Sequence, residues 1–241
     1  NIGQAVMNDN GQDRTTIFRI ANGALLAGNT TNPKDQSSSN LDLTLNGKNS
    51  VGVLATGAGS SVDTGEATFA VKGSDSAALV IEGGAKGTIS DKTTINLTGE
   101  RTIAGVVDGQ AHQLNGRTQG DPTSTTLTSN AKITSEASGN EVIAYVARNQ
   151  GNLILDTNSL IDLASVDSIG VDVQQGGSLT NNSSSALHVS NGIGVRASGS
   201  SAQINKLGKI QVDDGTAGVL LTQGASLLIN GMTGDSITTD G

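Results

Sequence analysis

A five-residue pattern returns seven times along this chain, and its spacing restricts the fold more than any other feature. The clearest copies are Val51-Gly52-Val53-Leu54-Ala55, Ile169-Gly170-Val171-Asp172-Val173, Ile193-Gly194-Val195-Arg196-Ala197 and Ala217-Gly218-Val219-Leu220-Leu221. Looser copies are Ala77–Ile81, Ala104–Asp108 and Ile143–Ala147. The second residues fall at 52, 78, 105, 144, 170, 194 and 218, so the intervals are 26, 27, 39, 26, 24 and 24 residues. Self-similarity with a period of roughly 20–50 residues is the signature of a solenoid, in which each repeat is held mainly by its neighbours.

Each repeat carries three short apolar alternations, and alternation is the mark of a half-buried strand. In the pentad, the first, third and fifth residues are expected to face inward, because successive side chains on a strand point to opposite sides. A glycine turn follows, at Gly57, Gly83, Gly109, Gly151, Gly176, Gly199 or Gly224. The next strand starts at Val62, Ile89, Leu153, Leu179, Ile204 or Leu227. The last places two inward residues around one outward residue, as in Leu43/Leu45, Phe69/Val71, Ile95/Leu97, Ile161/Leu163, Leu187/Val189 and Ile210/Val212. Three strands per ~25 residues predict an all-β right-handed parallel β-helix, with coils stacked about 4.8 Å apart. Residues 1–40 are expected to form an irregular N-terminal rung or cap with a loop. Residues 41–241 form the β-helix, interrupted by an inserted loop at about 109–126. Asp108, on the inward phase, implies a strand that ends early, since a buried unpaired carboxylate is costly.

Composition narrows the chemistry. A formal net charge of −8 disfavours nonspecific nucleic-acid binding, and the absence of cysteine excludes disulfides and thiolate metal sites. No metal or cofactor is implied. No apolar run reaches the ~18 residues of a membrane span, and no signal peptide is visible. The chain stops inside a repeat, which reads as part of something longer. Gly234-Asp235-Ser236 lacks the fourth residue of a Gly-Asp-Ser-Gly nucleophile motif, since Ile237 follows it at a core position, and only His112 and His188 could serve as a base. The three aromatic residues are Phe18, Phe69 and Tyr145. Tyr145 lies on an inward phase and needs a partner for its hydroxyl, so no sugar-stacking platform is evident. On the outward side of the third alternation, Lys132, Asp162 and His188 are expected to form a solvated charge ladder.

The stretch Gly170-Val171-Asp172-Val173-Gln174-Gln175-Gly176-Gly177-Ser178-Leu179 and its repeat, Gly218-Val219-Leu220-Leu221-Thr222-Gln223-Gly224-Ala225-Ser226-Leu227, resemble autotransporter passenger domains of the pertactin and self-associating adhesin type. The resemblance runs from about Leu41 onward. It implies export through the outer membrane by a C-terminal translocator barrel, display at the bacterial cell surface, and adhesin, aggregation, protease or toxin roles that differ among members.

Two features are candidates for function. The outward positions of the first strand read Gly52/Leu54, Ala78/Val80, Gly105/Val107 and Ala144/Val146, and contiguous exposed apolar stripes mark a partner or a covering element. The inserted loop carries His112, Arg117 and Asp121, and its Asn115-Gly116-Arg117 is similar to integrin-directed tripeptides. The candidate binding residues are therefore Leu54, Val80, Val107, Val146, His112, Arg117 and Asp121. The sequence supports a non-enzymatic surface adhesin or aggregation module, whose partner is a host-surface or matrix protein or glycan, or the same protein on a neighbouring cell. A polysaccharide-degrading β-helix enzyme and a structural stalk remain as alternatives.

Overall fold

The computed structural model describes residues 5–28, 40–111, 120–227 and 235–239. Within them the chain visits three parallel sheets in turn and repeats the cycle. Sheet A has nine strands, from Ala5–Asn8 to Ser236–Thr239. Sheet B has eight, from Thr16–Ala21 to Ala217–Thr222. Sheet C has seven, from Leu25–Ala27 to Gln203–Lys206. Every strand pairs in parallel with its counterpart one coil away, which gives a β-solenoid of about seven complete coils. Among the described residues the only helical element is a single 3-10 turn, Pro122–Ser124. The first coil, expected as an irregular rung, is paired in register with the second: Phe18 opposes Val53 and Met7 opposes Leu43.

Numbering coils by their sheet-B strands puts Thr16–Ala21 in coil 1, Val51–Thr56 in coil 2, Ala77–Glu82 in coil 3 and Ile103–Asp108 in coil 4. Ile143–Arg148 belongs to coil 5, Ser168–Gln174 to coil 6, Gly192–Ser198 to coil 7 and Ala217–Thr222 to coil 8. The core is a column of in-register side chains. All six expected sheet-A pairs, Leu43/Leu45 through Ile210/Val212, are at most 2% exposed. Sheet C contributes Val62, Leu127, Leu153, Leu179 and Ile204 as one inward row. Ile89 is buried but belongs to the neighbouring row. Its expected place is held by Gly87, whose missing side chain is filled by Leu127 and Ile81.

The sheet-B strand departs from simple alternation. Its second and third residues both face the core, and its first and fourth face out. The core includes Ala78, Ala104 and Ala144 at the second position and Val53, Leu79, Tyr145, Val171 and Val195 at the third. It includes none of the first-position residues Val51, Ala77, Ile143, Ile169, Ile193 and Ala217, which were expected inside, nor Ile103, which takes that position in coil 4. The cause is a tight approach between sheets. A Cβ on Gly170 would lie 2.3 Å from the Leu187 side chain, and one on Gly194 would lie 2.4 Å from Ile210. From coil 2 onward this position is always glycine or alanine, and a Cβ on Gly170, Gly194 or Gly218 would run into the sheet-A residue of the following coil.

Coil 4 is also shifted by one residue from its expected phase. Ile103, not Ala104, opposes Ala77 and Ile143, and Gly105 opposes Leu79 and Tyr145. The largest side chain in the core thus stacks on the smallest residue. A Cβ on Gly105 would lie 2.7 and 2.8 Å from two ring carbons of Tyr145. The Tyr145 hydroxyl meets Ser129 Oγ at 2.5 Å, and full burial pushes its pKa up. Asp108 does not end its strand early. It is its last residue, and its buried carboxylate accepts from Arg148 Nε at 2.6 Å, Asn149 Nδ2 at 2.8 Å and the Gln110 N–H at 2.9 Å.

The corner from sheet A into sheet B is turned by a left-handed residue in six successive coils, Arg14, Asn49, Asp75, Arg101, Glu141 and Asp167, with φ between 52° and 58°. Buried hydroxyls knit these corners together. Ser76 Oγ accepts the Ser50 N–H and donates to the Gly47 carbonyl. At the opposite corner, Gly57, Gly83, Gly176, Gly199 and Gly224 adopt positive φ as glycine permits.

Three substitutions check this packing. Val171→Asp buries an unpaired carboxylate and should cost about 3 kcal/mol or more in denaturant unfolding. Gly105→Ala should cost about 1–3 kcal/mol by overpacking against Tyr145, and Tyr145→Val should recover part of that loss in the double variant.

Candidate interaction surface

The outer face of sheet B is built from the first and fourth positions of each strand. The fourth-position row, in register from coil 1, reads Arg19, Leu54, Val80, Val106, Val146, Asp172, Arg196 and Leu220. The first-position row reads Thr16, Val51, Ala77, Ile103, Ile143, Ile169, Ile193 and Ala217. From coil 2 to coil 5 both rows are wholly aliphatic. Val51, Leu54, Val80, Ile103 and Ile143 are half-buried, while Ala77, Val106, Val146 and Ile169 are buried at 5–8% exposure without joining the core. The face is therefore a double apolar row rather than the single expected stripe.

Of the expected stripe, Leu54, Val80 and Val146 stand where the sequence places them. Val107 does not. It is fully buried in the core, and Val106 occupies the outer row, because of the one-residue shift in coil 4. The small residues Gly52, Ala78 and Ala144, expected as a flat outer surface, are the inward second positions, and Gly105 takes the inward third position against Tyr145. His112 and Arg117, with the tripeptide Asn115–Arg117, lie outside the described residues, as does any cover that residues 112–119 give this face. Asp121 is described. Its Oδ1 accepts from Thr123 N at 2.9 Å and Thr123 Oγ1 at 2.7 Å, and these bonds lower its pKa. It caps the 3-10 turn, and Gly120 beside it donates to the Gly83 carbonyl at the sheet-B to sheet-C corner.

Charge closes the apolar face at coil 6. Asp172 is outward, as expected, yet fully covered. Arg196 reaches it from the next coil with Nε at 2.9 Å from Oδ1 and Nη2 at 2.6 Å from Oδ2, and Gln174 Nε2 also donates to Oδ2. Hydrogen bonding to Asp172 raises the Arg196 pKa further above its ordinary value. Such a two-pronged guanidinium–carboxylate contact is geometrically specific as well as charge-assisted.

Sheet A's outer face is polar. The expected ladder of Lys132, Asp162 and His188 is corrected at its first member. Thr134 opposes Asp162, and Lys132 opposes Leu160. His188 Nδ1 lies 2.7 Å from Asp162 Oδ1, and its Nε2 lies 2.7 Å from Asp213 Oδ2. Partial burial alone would lower the His188 pKa, but the hydrogen bonds and charges of Asp213 and Asp162 outweigh it and raise the pKa above its usual value. When protonated, the ring donates from both nitrogens and has no lone pair free to act as a base. Ser236 lies on the exposed edge strand opposite Lys209, and Ile237, in register with Ile210, is 47% exposed. Among the described residues, no group of three or more His, Asp or Glu is disposed to hold a metal ion.

The partners Arg148, Arg196 and Asp213 were missed by reading residues one at a time. Their signal is an opposite charge one period later. Asp172 to Arg196 is 24 residues, His188 to Asp213 is 25, and Asp75 to Arg101, another ion pair, is 26. No protein-family model, curated protein or solved structure matches the chain.

Asp172→Asn should not be silent, although the position faces outward. All three contacts donate to the carboxylate, and an asparagine replaces one acceptor oxygen with a donor. A loss of about 1–3 kcal/mol in denaturant unfolding is expected, compared with near-neutrality for the exposed Asp63→Asn.

Proposed function

We propose that this chain is a non-catalytic adhesion or aggregation module displayed at a bacterial cell surface, and that it makes contact through the outer face of sheet B. The reading rests on one observation, the double aliphatic row over coils 2 to 5, which lies outside the core. A patch of this kind supports docking to a host-surface or matrix molecule or to a neighbouring cell. Burial of Phe69 and Tyr145 removes two of the three aromatic rings from any sugar-stacking role and favours adhesion over polysaccharide degradation. Export and anchoring by an outer-membrane translocator belong to this proposal, on the strength of the autotransporter resemblance.

Magnitudes say how such a face would act. The half-buried side chains leave on the order of 150 Å² of apolar area, equivalent to about 4 kcal/mol before association costs. A stable specific interface buries about 1,200 Å² or more, so one contact is weak and many copies on one cell supply avidity.

Cells displaying the full-length protein with Leu54→Lys and Val80→Lys should adhere and aggregate less than wild type, at equal surface display and unchanged melting temperature. The lysine stems can lie along the face while the ammonium groups stay hydrated. Undiminished adhesion and aggregation by the folded double variant would remove this face from the proposal.

A further inference from the structure

Asp162, His188 and Asp213 stand on three successive coils, separated by 26 and 25 residues, and His188 bridges the other two. A neutral imidazole has one N–H and one bare nitrogen. Here each ring nitrogen faces a carboxylate oxygen at 2.7 Å, so a neutral ring would turn a lone pair on one of the two anions. The arrangement is complete only with both nitrogens protonated.

We infer that Asp162, His188 and Asp213 form a protonation-dependent clasp that fastens the C-terminal coils to the body of the solenoid and loosens as pH rises. The groups around the ring agree with this. On the strand before it, Leu160–Leu163, the residue facing His188 is Asp162. On the strand after it, Lys209–Val212, the facing residue is Gln211, whose Nε2 donates to Asp213 Oδ1 at 3.0 Å and aims that carboxylate. Lys209 reaches the Ser184 carbonyl instead, and Asp214 holds the Ser190 carbonyl through its own N–H. No cation from either strand substitutes for the imidazolium.

The strands beyond the clasp are less buried than the middle of the solenoid. Every residue of Ser236–Thr239 is exposed, and Leu221 in coil 8 is 41% exposed. In coils 4 to 6 the sheet-B strands are almost wholly buried. Opening of the C-terminal coils therefore costs less than opening of the middle, and a contact across coils 6, 7 and 8 changes that cost directly.

The sign follows from linkage. His188 is raised, so its contribution is complete below the unfolded value near about 6.5 and is lost as pH rises through the folded value. Asp213 is lowered, first by its bond from Gln211 and then by His188, so its contribution is lost only as pH falls through the acid range. The clasp is strongest in between, from about pH 4 to about pH 6.5.

Hydrogen exchange on the full chain tests this at about pH 5.5 and about pH 8.5, after correction for intrinsic exchange. Protection of Lys209–Val212 relative to Ile143–Arg148 should fall with rising pH, approaching about tenfold for each unit separating the folded and unfolded pKa. In His188→Gln the relative protection should be low at both pH values. In Asp213→Asn the pH-dependent difference should shrink. Relative protection in wild type that does not change with pH, or that changes equally in His188→Gln, would overturn the inference. Should His188→Gln fail to fold, the wild-type and Asp213→Asn comparison decides alone.

Discussion

In-register parallel stacking is the constraint on which everything else here depends. Each residue of a coil has, about 4.8 Å above and below it, its own counterpart from the neighbouring coils. Like therefore stacks on like, and a side chain's fate is decided by its row. The rows through Val171, Leu187 and Leu179 are buried because their columns are built of apolar side chains, aliphatic and aromatic. The row through Asp172 tolerates a covered carboxylate because Arg196 is its counterpart. The same logic accounts for Tyr145. One oversized ring fits into the column because the counterpart below it, Gly105, has no side chain at all.

Much of this was legible in the sequence, for a physical reason. A solenoid writes its contacts into the chain at a fixed period, so counting about 25 residues forward reads off a spatial neighbour. The parallel three-strand coil and all six sheet-A pairs follow from that count and from simple alternation. Most of the errors arise in the sheet-B strand, although Lys132 in sheet A and Ile89 in sheet C were each placed two residues out of register. Two consecutive inward residues break alternation there. The reading that placed Val51 and Ile143 inside and Gly52 and Ala144 outside extended a period of two across a strand that does not keep it. In coil 4 the slip went further, because Ala104-Gly105-Val106 imitates the pentad one residue out of place. Val107 was exchanged for Val106, and the strand was expected to end early at Asp108 although it runs its full length to that residue. The register to Tyr145 and Arg148 removes that ambiguity, and a 40-residue step between Ile103 and Ile143 hides it from inspection of the sequence.

The candidate face and the charged contacts divide the molecule's surface by kind. Apolar rows occupy sheet B through the middle coils, and inter-coil ion pairs hold positions near the corners and toward the C-terminal coils. Arg101 with Asp75, Arg148 with Asp108, Arg196 with Asp172 and His188 with its two aspartates each join neighbouring coils. In a structure whose coils touch only their neighbours, such a contact acts on one junction at a time, so local rather than global opening is the natural scale on which each is felt.

The second position of the sheet-B strand has a consequence for how the molecule is assembled. Gly52 lies beneath Phe69, Gly170 beneath Leu187, and Gly194 beneath Ile210, always with the overhanging group one coil later in the chain. The interlock has a direction. At this position a coil that has just formed presents a notch that its successor fills. Growth from the N-terminal side would seat each arriving coil on a finished template, whereas growth from the C-terminal side would have to slide each notch under a residue already in place. A chain emerging N-terminus first, from a ribosome or through a pore, would meet the easier of these two orders.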